Sequence, residues 1–234
     1  MRKLFLIPAR GGSKGLPGKN IMLLGGRPMI EYSLDVALDL IQHGDQLCVS
    51  TDDPEIASIV KDYGVDVPFI RPDYLSTDLA DSDSVIRHAV NWYQNEMHCS
   101  FDVIVLLQVT SPLRLKESVS LAISLWNPNV DMVVGVKRAK ANPYYSLYEL
   151  NGKGYLVKSK EGNYKRRQDC PEVFEFNGAV YVISVKALNN SSLSAMSKVL
   201  PILMSDEESI DIDTKLDYEF AEFIFNKRKT DLKD

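Results

Sequence analysis

The sequence predicts an α/β layered fold with a mainly parallel central sheet. Three features carry that prediction: short apolar runs rich in β-formers recur along the 234 residues, segments of helical spacing lie between them, and a glycine-rich loop follows the first run. Leu4–Ile7 is the first run, and it meets Arg10 too soon to be the apolar region of a signal peptide, so it reads as a buried strand. Met29–Leu40 has the apolar spacing of a helix and leads to a second strand, Leu47–Ser50. Pro54–Tyr63 and Asp83–Gln94 read as helices before the strand Val103–Leu107, and a helix over Leu115–Trp126 precedes the strand Met132–Val136.

The alternation breaks between about 137 and 177, where Asn142-Pro143, Asn151-Gly152, Lys153-Gly154 and Glu161-Gly162 punctuate short Tyr- and Lys-containing segments. This is the pattern of a hairpin-rich insertion in a single domain spanning 1–234. The chain rejoins the main sheet at Gly178-Ala179-Val180-Tyr181 with a strand over Val180–Val185, and a helix over Lys215–Asn226 follows. The charged Asp231–Asp234 stretch is expected to fray.

Composition narrows the function. A net charge of −5 disfavours a nonspecific grip on nucleic acid or on an anionic membrane, so an anionic ligand must be held by local cations. No run approaches the ~18 apolar residues of a membrane span, and the cytoplasm is the expected compartment. Cys48, Cys99 and Cys170 are odd in number and widely spaced, which suits reduced thiols rather than a disulfide framework or a zinc site. His43, His88 and His98 form no metal-binding motif and read as surface or internally satisfied residues.

The informative segment is Ile7-Pro8-Ala9-Arg10-Gly11-Gly12-Ser13-Lys14-Gly15-Leu16-Pro17-Gly18-Lys19-Asn20, with four glycines and three cations. Following a strand of an open sheet, it stands where ligands bind. Glycines let backbone N–H groups approach phosphate oxygens, and Arg10, Lys14 and Lys19 can neutralise a triphosphate. It is not a Walker A loop, which needs Gly at Ser13 and Ser or Thr at Asn20, and it contains no G-x-G-x-x-G.

At this loop the chain resembles the acylneuraminate cytidylyltransferases, whose signature has the form I-P-A-R-x-x-S-K-G-L-P-x-K-N. The related 3-deoxy-manno-octulosonate enzymes usually carry Arg-Leu-Pro-Gly-Lys-Pro, whereas this chain has Gly15-Leu16-Pro17-Gly18-Lys19-Asn20, which favours the nine-carbon branch. The resemblance continues through Val49-Ser50-Thr51-Asp52, Arg71-Pro72, the stretch Leu106 to Arg114 (LLQVTSPLR), Asn177-Gly178-Ala179 and Ser209-Ile210-Asp211-Ile212-Asp213. It implies a Rossmann-like nucleotidyltransferase fold, CTP and a nine-carbon acidic sugar as substrates, Mg²⁺ as cofactor, and a homodimer formed through the insertion.

The resemblance implies a site in two halves. Arg10, Gly11, Gly12, Ser13, Lys14 and Lys19 would serve the triphosphate, with Asn20, Arg71, Ala80 and Ser82 near the nucleoside. Gln108, Arg167, Asn177 and Tyr181 would lie toward the sugar or the reacting phosphate. Asp211 and Asp213, two apart in an expected strand, would share one face, and two such carboxylates suit a hard divalent cation. Catalysis would then rest on Arg10, Lys14, Lys19, Asp211 and Asp213.

Tyr145 and Glu175 stand where some bacterial sialic-acid enzymes carry a lysine and an arginine, so the pattern is closer to animal sialic-acid enzymes and to those using legionaminate-like sugars. The competing functions are a nucleotidyltransferase for another sugar acid or nucleotide, and an inactive sugar-nucleotide-binding module. Lys14, Asp211 and Asp213 speak against the module, since binding alone does not require a phosphate-and-metal set.

Overall fold

A computed structural model describes residues 1–12, 15–77 and 79–231, the side chain of the last excepted. Strand β1 (Lys3–Pro8) runs into the glycine-rich loop, a 3-10 turn at Lys19–Ile21, and a short hairpin of β2 (Leu23–Leu24) and β3 (Arg27–Pro28) that enters α1 (Met29–Leu40). The alternation continues with β4 (Gln46–Ser50), α2 (Pro54–Asp62), α3 (Ser82–Glu96), β5 (Val103–Leu106), α4 (Lys116–Leu125) and β6 (Met132–Arg138). A small hairpin of β7 (Tyr148–Leu150) and β8 (Leu156–Lys158) precedes the long β9 (Phe174–Ser184). Then come α5 (Val185–Asn190), β10 (Val199–Leu203) and α6 (Lys215–Asp231).

The main sheet has the order β10-β6-β9-β5-β1-β4. β1 pairs in parallel with β4 and β5, and β10 pairs in parallel with β6, whereas β9 is antiparallel to both of its neighbours. The period of two in the strands sorts side chains into two cores. Phe5, Ile7, Val103 and Val105 pack against α1, α2, α4 and α6 on one face, while Leu4, Leu6, Ile104 and Leu106 pack against α3 and α5 on the other. Both faces are covered, which is why consecutive residues such as Leu4–Ile7 and Val103–Leu106 are apolar.

Local chemistry sets the helix starts at the top of the sheet. Asp53 caps α2 by accepting from Glu55 N at 2.8 Å and Ile56 N at 3.4 Å, with Pro54 in the first turn. Asp81 caps α3 by accepting from Ser84 N at 2.7 Å.

Three sequence expectations are corrected. β10 was not anticipated because Pro201 interrupts its run; the strand is at the sheet edge, where a missing N–H is tolerated. The chain rejoins the sheet at Phe174 rather than Gly178, because β6 and β9 continue to pair as far as Arg138 and Phe174. Asp211–Asp213 is not a strand: Ile212 N donates to Thr110 O at 2.8 Å and Asp213 N to Asp217 Oδ2 at 3.2 Å, with Ile212 buried and both aspartates exposed. Exposure still alternates from Asp211 through Ile212 to Asp213.

Candidate functional site

The loops after β1, β4 and β5 part at the carboxyl ends of these parallel strands and leave a cavity of about 570 Å³. That volume lies in the range of small-molecule sites. Arg10, Lys19, Asn20, Arg71, Ala80 and Ser82, six of the residues expected at the nucleotide, all line it, whereas Gly11 and Gly12 do not. Gln108 and Asp213 line the same cavity.

Each wall is fixed by identifiable bonds. Asn20, buried, donates from Nδ2 to Arg10 O at 2.8 Å, which ties the end of the glycine-rich loop back to its start. Gly11 N donates to Asp52 Oδ1 at 3.1 Å, and a Cβ on Gly11 would lie 2.3 Å from Asp53 Oδ2, so this position admits no side chain. Gly12 is exposed, with open space around it. Ser13 and Lys14, both expected at the phosphates, lie outside the described residues.

Arg71 is buried, with Nε donating to Ser50 Oγ at 3.0 Å and Nη2 to the Ser50 carbonyl. Burial lowers its pKa, and Arg10 lowers it further while Asp52 opposes. Two guanidinium groups thus face one region of the cavity, as an anionic guest requires. On the far wall the capped start of α3 presents Ala80, Asp81 and Ser82, with Val85 and Ile86 adding apolar surface.

Lys19 Nζ contacts Asp213 Oδ1 at 2.7 Å and so links the loop to the acidic segment. Gly15 makes that approach possible, because a Cβ there would sit 2.6 Å from the Asp213 carbonyl oxygen. Asp211 has an exposed surface, yet its carboxyl has enough protein around it that desolvation raises its pKa; Thr110 opposes by hydrogen bonding, Asp213 raises it further and Lys19 lowers it. A carboxylate with a second carboxylate beside it is the donor chemistry of a cation site. Among the described residues, no group of three or more His, Cys, Asp and Glu side chains forms a metal cage.

The sugar-side residues are only partly gathered. Gln108 Oε1 and Asp211 Oδ2 flank Gly178, 3.3 and 3.7 Å from where its Cβ would stand. Tyr181 lies in the same neighbourhood: burial raises its pKa and the charge of Asp211 raises it further. Asn177 is buried, and its amide is committed to Ser209 Oγ (2.9 Å), Met204 Sδ (3.2 Å) and Ala179 N (3.1 Å). Arg167 is elsewhere, donating to Lys140 O at 2.6 Å beside a separate hollow of about 390 Å³ in the insertion. Glu175 faces Lys137 across the β6–β9 ladder, Nζ to Oε1 3.5 Å.

Sequence reasoning missed Asp52, which engages Gly11, and the apolar wall of Leu75, Val85 and Ile86. Asp52 stood in a matched motif without a role, and nothing in the helical spacing of Val85 and Ile86 distinguishes a cavity wall from core.

Comparison with known proteins places this geometry. A family model described as Cytidylyltransferase matches residues 4–222. The chain is 34% identical to the post-translational flagellin modification protein B of Campylobacter coli, covering 99% of this chain and 98% of that protein. It is 36% identical to the CMP-N,N′-diacetyllegionaminic acid synthase of Legionella pneumophila, covering 95% of each. A solved structure of CMP:2-keto-3-deoxy-manno-octonic acid synthetase complexed with CTP superposes with a TM-score of 0.72 at 18% identity, covering 97% of this chain and all of that one, and shows the shared fold.

Proposed function

Since this chain belongs to the cytidylyltransferase family, we propose that it transfers CMP from CTP to the 2-hydroxyl of a nonulosonic acid and releases pyrophosphate. The observation that carries the reading is the convergence of Arg10, Lys19 and Arg71 with Gln108 and Asp213 on a single cavity. The hydroxyl oxygen forms a bond to the α-phosphorus, the α–β bridging P–O bond breaks, and the hydroxyl proton is lost.

Transfer of this kind depends on alignment and charge neutralisation rather than on a covalent enzyme intermediate. Arg71 and the start of α3 hold the nucleoside end, Arg10, Lys14 and Lys19 neutralise the triphosphate, and Gln108 with Tyr181 orients the acceptor. Asp211 and Asp213 would hold Mg²⁺, in keeping with its use of one or two carboxylates completed by phosphate oxygens and water. Bound there, the ion would act as a Lewis acid on the phosphates. The ion pair of Lys19 with Asp213 fits this role, since a cation entering beside Asp213 frees Lys19 for phosphate.

The reaction belongs in the cytosol and the enzyme is a homodimer joined through the insertion. The three cysteines are free thiols, which suits a reducing compartment, and the insertion exposes large apolar side chains that a second copy would cover. No helix among the described residues is long and apolar enough to cross a membrane.

Pyrophosphate release is the test, with each of four nucleoside triphosphates against N-acetylneuraminate, N,N′-diacetyllegionaminate and 3-deoxy-manno-octulosonate. Turnover is expected with CTP, a nine-carbon acid and Mg²⁺, and is abolished by chelator. Equal rates with ATP, GTP or UTP would sink the cytidylyl assignment. Asp211→Asn and Asp213→Asn are expected to lower kcat by roughly a hundredfold or more while calorimetric CTP affinity changes little.

A further inference from the structure

Arg114 ends the turn that follows β5, and it is 5% exposed. Its Nη2 donates to the Gln108 carbonyl, an oxygen also approached by Ser111 N at 3.4 Å and Ser33 Oγ at 3.5 Å. Its Nε and Nη1 are buried with no hydrogen-bond partner. A guanidinium kept in the interior with unmet donors is costly, and an apolar side chain of similar length would avoid that cost. What the group holds is therefore the informative part.

Gln108 turns its side chain to the cavity while its carbonyl rests on Arg114. Across Gly178 from the Gln108 amide stands Asp211, and Asp211 is the acid whose charge favours the protonated guanidinium. The acidic segment is tied to the same turn by Ile212 N to Thr110 O at 2.8 Å. Arg114 thus holds the Gln108 turn, to which the acidic segment is also bonded, without lining the cavity that Gln108 lines.

We infer that Arg114 is a positioning residue that joins Gln108 and Asp211 into one unit, so that the acceptor's orienting amide is held at a fixed distance from the acidic pair. The inference deepens the proposed transfer and rests on that reading for its kinetic consequence. Removing the guanidinium lets the Gln108 turn relax, which misplaces the acceptor and leaves the nucleotide wall of Arg10, Arg71 and α3 in place.

Arg114→Met is compared with the wild-type chain by pyrophosphate release, with N,N′-diacetyllegionaminate and N-acetylneuraminate as acceptors, beside calorimetric CTP affinity. The expected result is a loss of about tenfold or more in kcat/KM for the acceptor, with CTP affinity within about twofold and partial recovery in Arg114→Lys. Acceptor kinetics unchanged within about twofold, or an equal loss of CTP affinity, would overturn the inference. If Arg114→Met does not fold, Arg114→Gln, which keeps an N–H donor without the charge, is read by the same criteria.

A melting cycle decides the matter without turnover. Asp211→Asn should be better tolerated in the Arg114→Met chain (or the Arg114→Gln chain) than in the wild type, because only the wild type retains a buried cation that loses its counter-charge. Equal shifts in Tm in the two backgrounds would overturn the link to Asp211. Absence of turnover in the wild type would count against the transfer reading alone, and the melting cycle would still decide the role of Arg114.

Discussion

His88 on α3 lies edge-on to Phe69 with ring centroids 4.8 Å apart, and its Nδ1 is buried without a partner. Burial lowers its pKa, and the charge of Arg71 lowers it further. The folded chain therefore binds this proton less tightly than the unfolded chain does, so the folded state loses stability as pH falls through the ordinary histidine value of about 6.5 toward the depressed one. Thermal melting of wild type and His88→Gln between pH 8 and pH 5 should show a steeper loss in the wild type below about pH 7. Parallel curves would show that His88 titrates as it does in the unfolded chain. Sequence had marked this histidine as a satisfied or surface residue, because an unmet ring nitrogen leaves no trace in local pattern. Arg10 and Lys19 were legible because charge on a glycine-rich loop has few other uses, and Arg71 through the family resemblance at Arg71-Pro72, whereas the roles of Arg114 and Asp52 depend on which carbonyl and which N–H the fold brings to them.

At the scale of elements, the glycine-rich loop and the acidic segment function as a pair. Gly15 approaches the backbone of Asp213, and Lys19 closes the contact from the other end of the loop. In Gly15→Ala the new Cβ would sit 2.6 Å from a carbonyl oxygen that cannot rotate away as a side chain could. The loop must then retreat from Asp213, and kcat/KM should fall by about tenfold or more while Tm moves little, since the contact lies at a solvent-facing cavity. Wild-type kinetics in this variant would mean that the approach of loop and acidic segment is not needed for transfer. The parallel strands β1, β4, β5 and β6 could be read from sequence because strands covered on both faces contain short unbroken apolar runs. The direction of β9 could not, because apolar content is the same whichever way a buried strand runs. Asp211–Asp213 was read as a strand for a related reason: an extended segment alternates its side chains whether or not a neighbour pairs with it.

For the whole molecule, the question is what covers the insertion. On the β7–β8 hairpin and its turn, Leu150 is 72% exposed, Tyr155 69% and Leu156 66%, and both strands are exposed at every position. An isolated two-stranded hairpin is marginal in water, and monomers rarely leave large contiguous apolar surface uncovered. A second copy of the chain supplies the missing cover in the arrangement proposed here, and a stable contact of this kind buries on the order of 1,600 Å². Sedimentation velocity at micromolar concentration should therefore show a dimer for the wild type and a monomer for Leu150→Lys combined with Leu156→Lys, because two cations cannot be buried there without partners. The C-terminal helix α6 carries its own exposed stripe of Leu216, Phe220 and Phe223, spaced for one helical face, and it provides the control. If the insertion is the interface, Phe220→Ser leaves the dimer intact. A wild-type monomer would remove the interface altogether, and a dimer broken by Phe220→Ser but not by the hairpin pair would move it to α6. None of the residues lining the cavity falls in the insertion, so the hairpin variant should keep its CTP affinity even as a monomer.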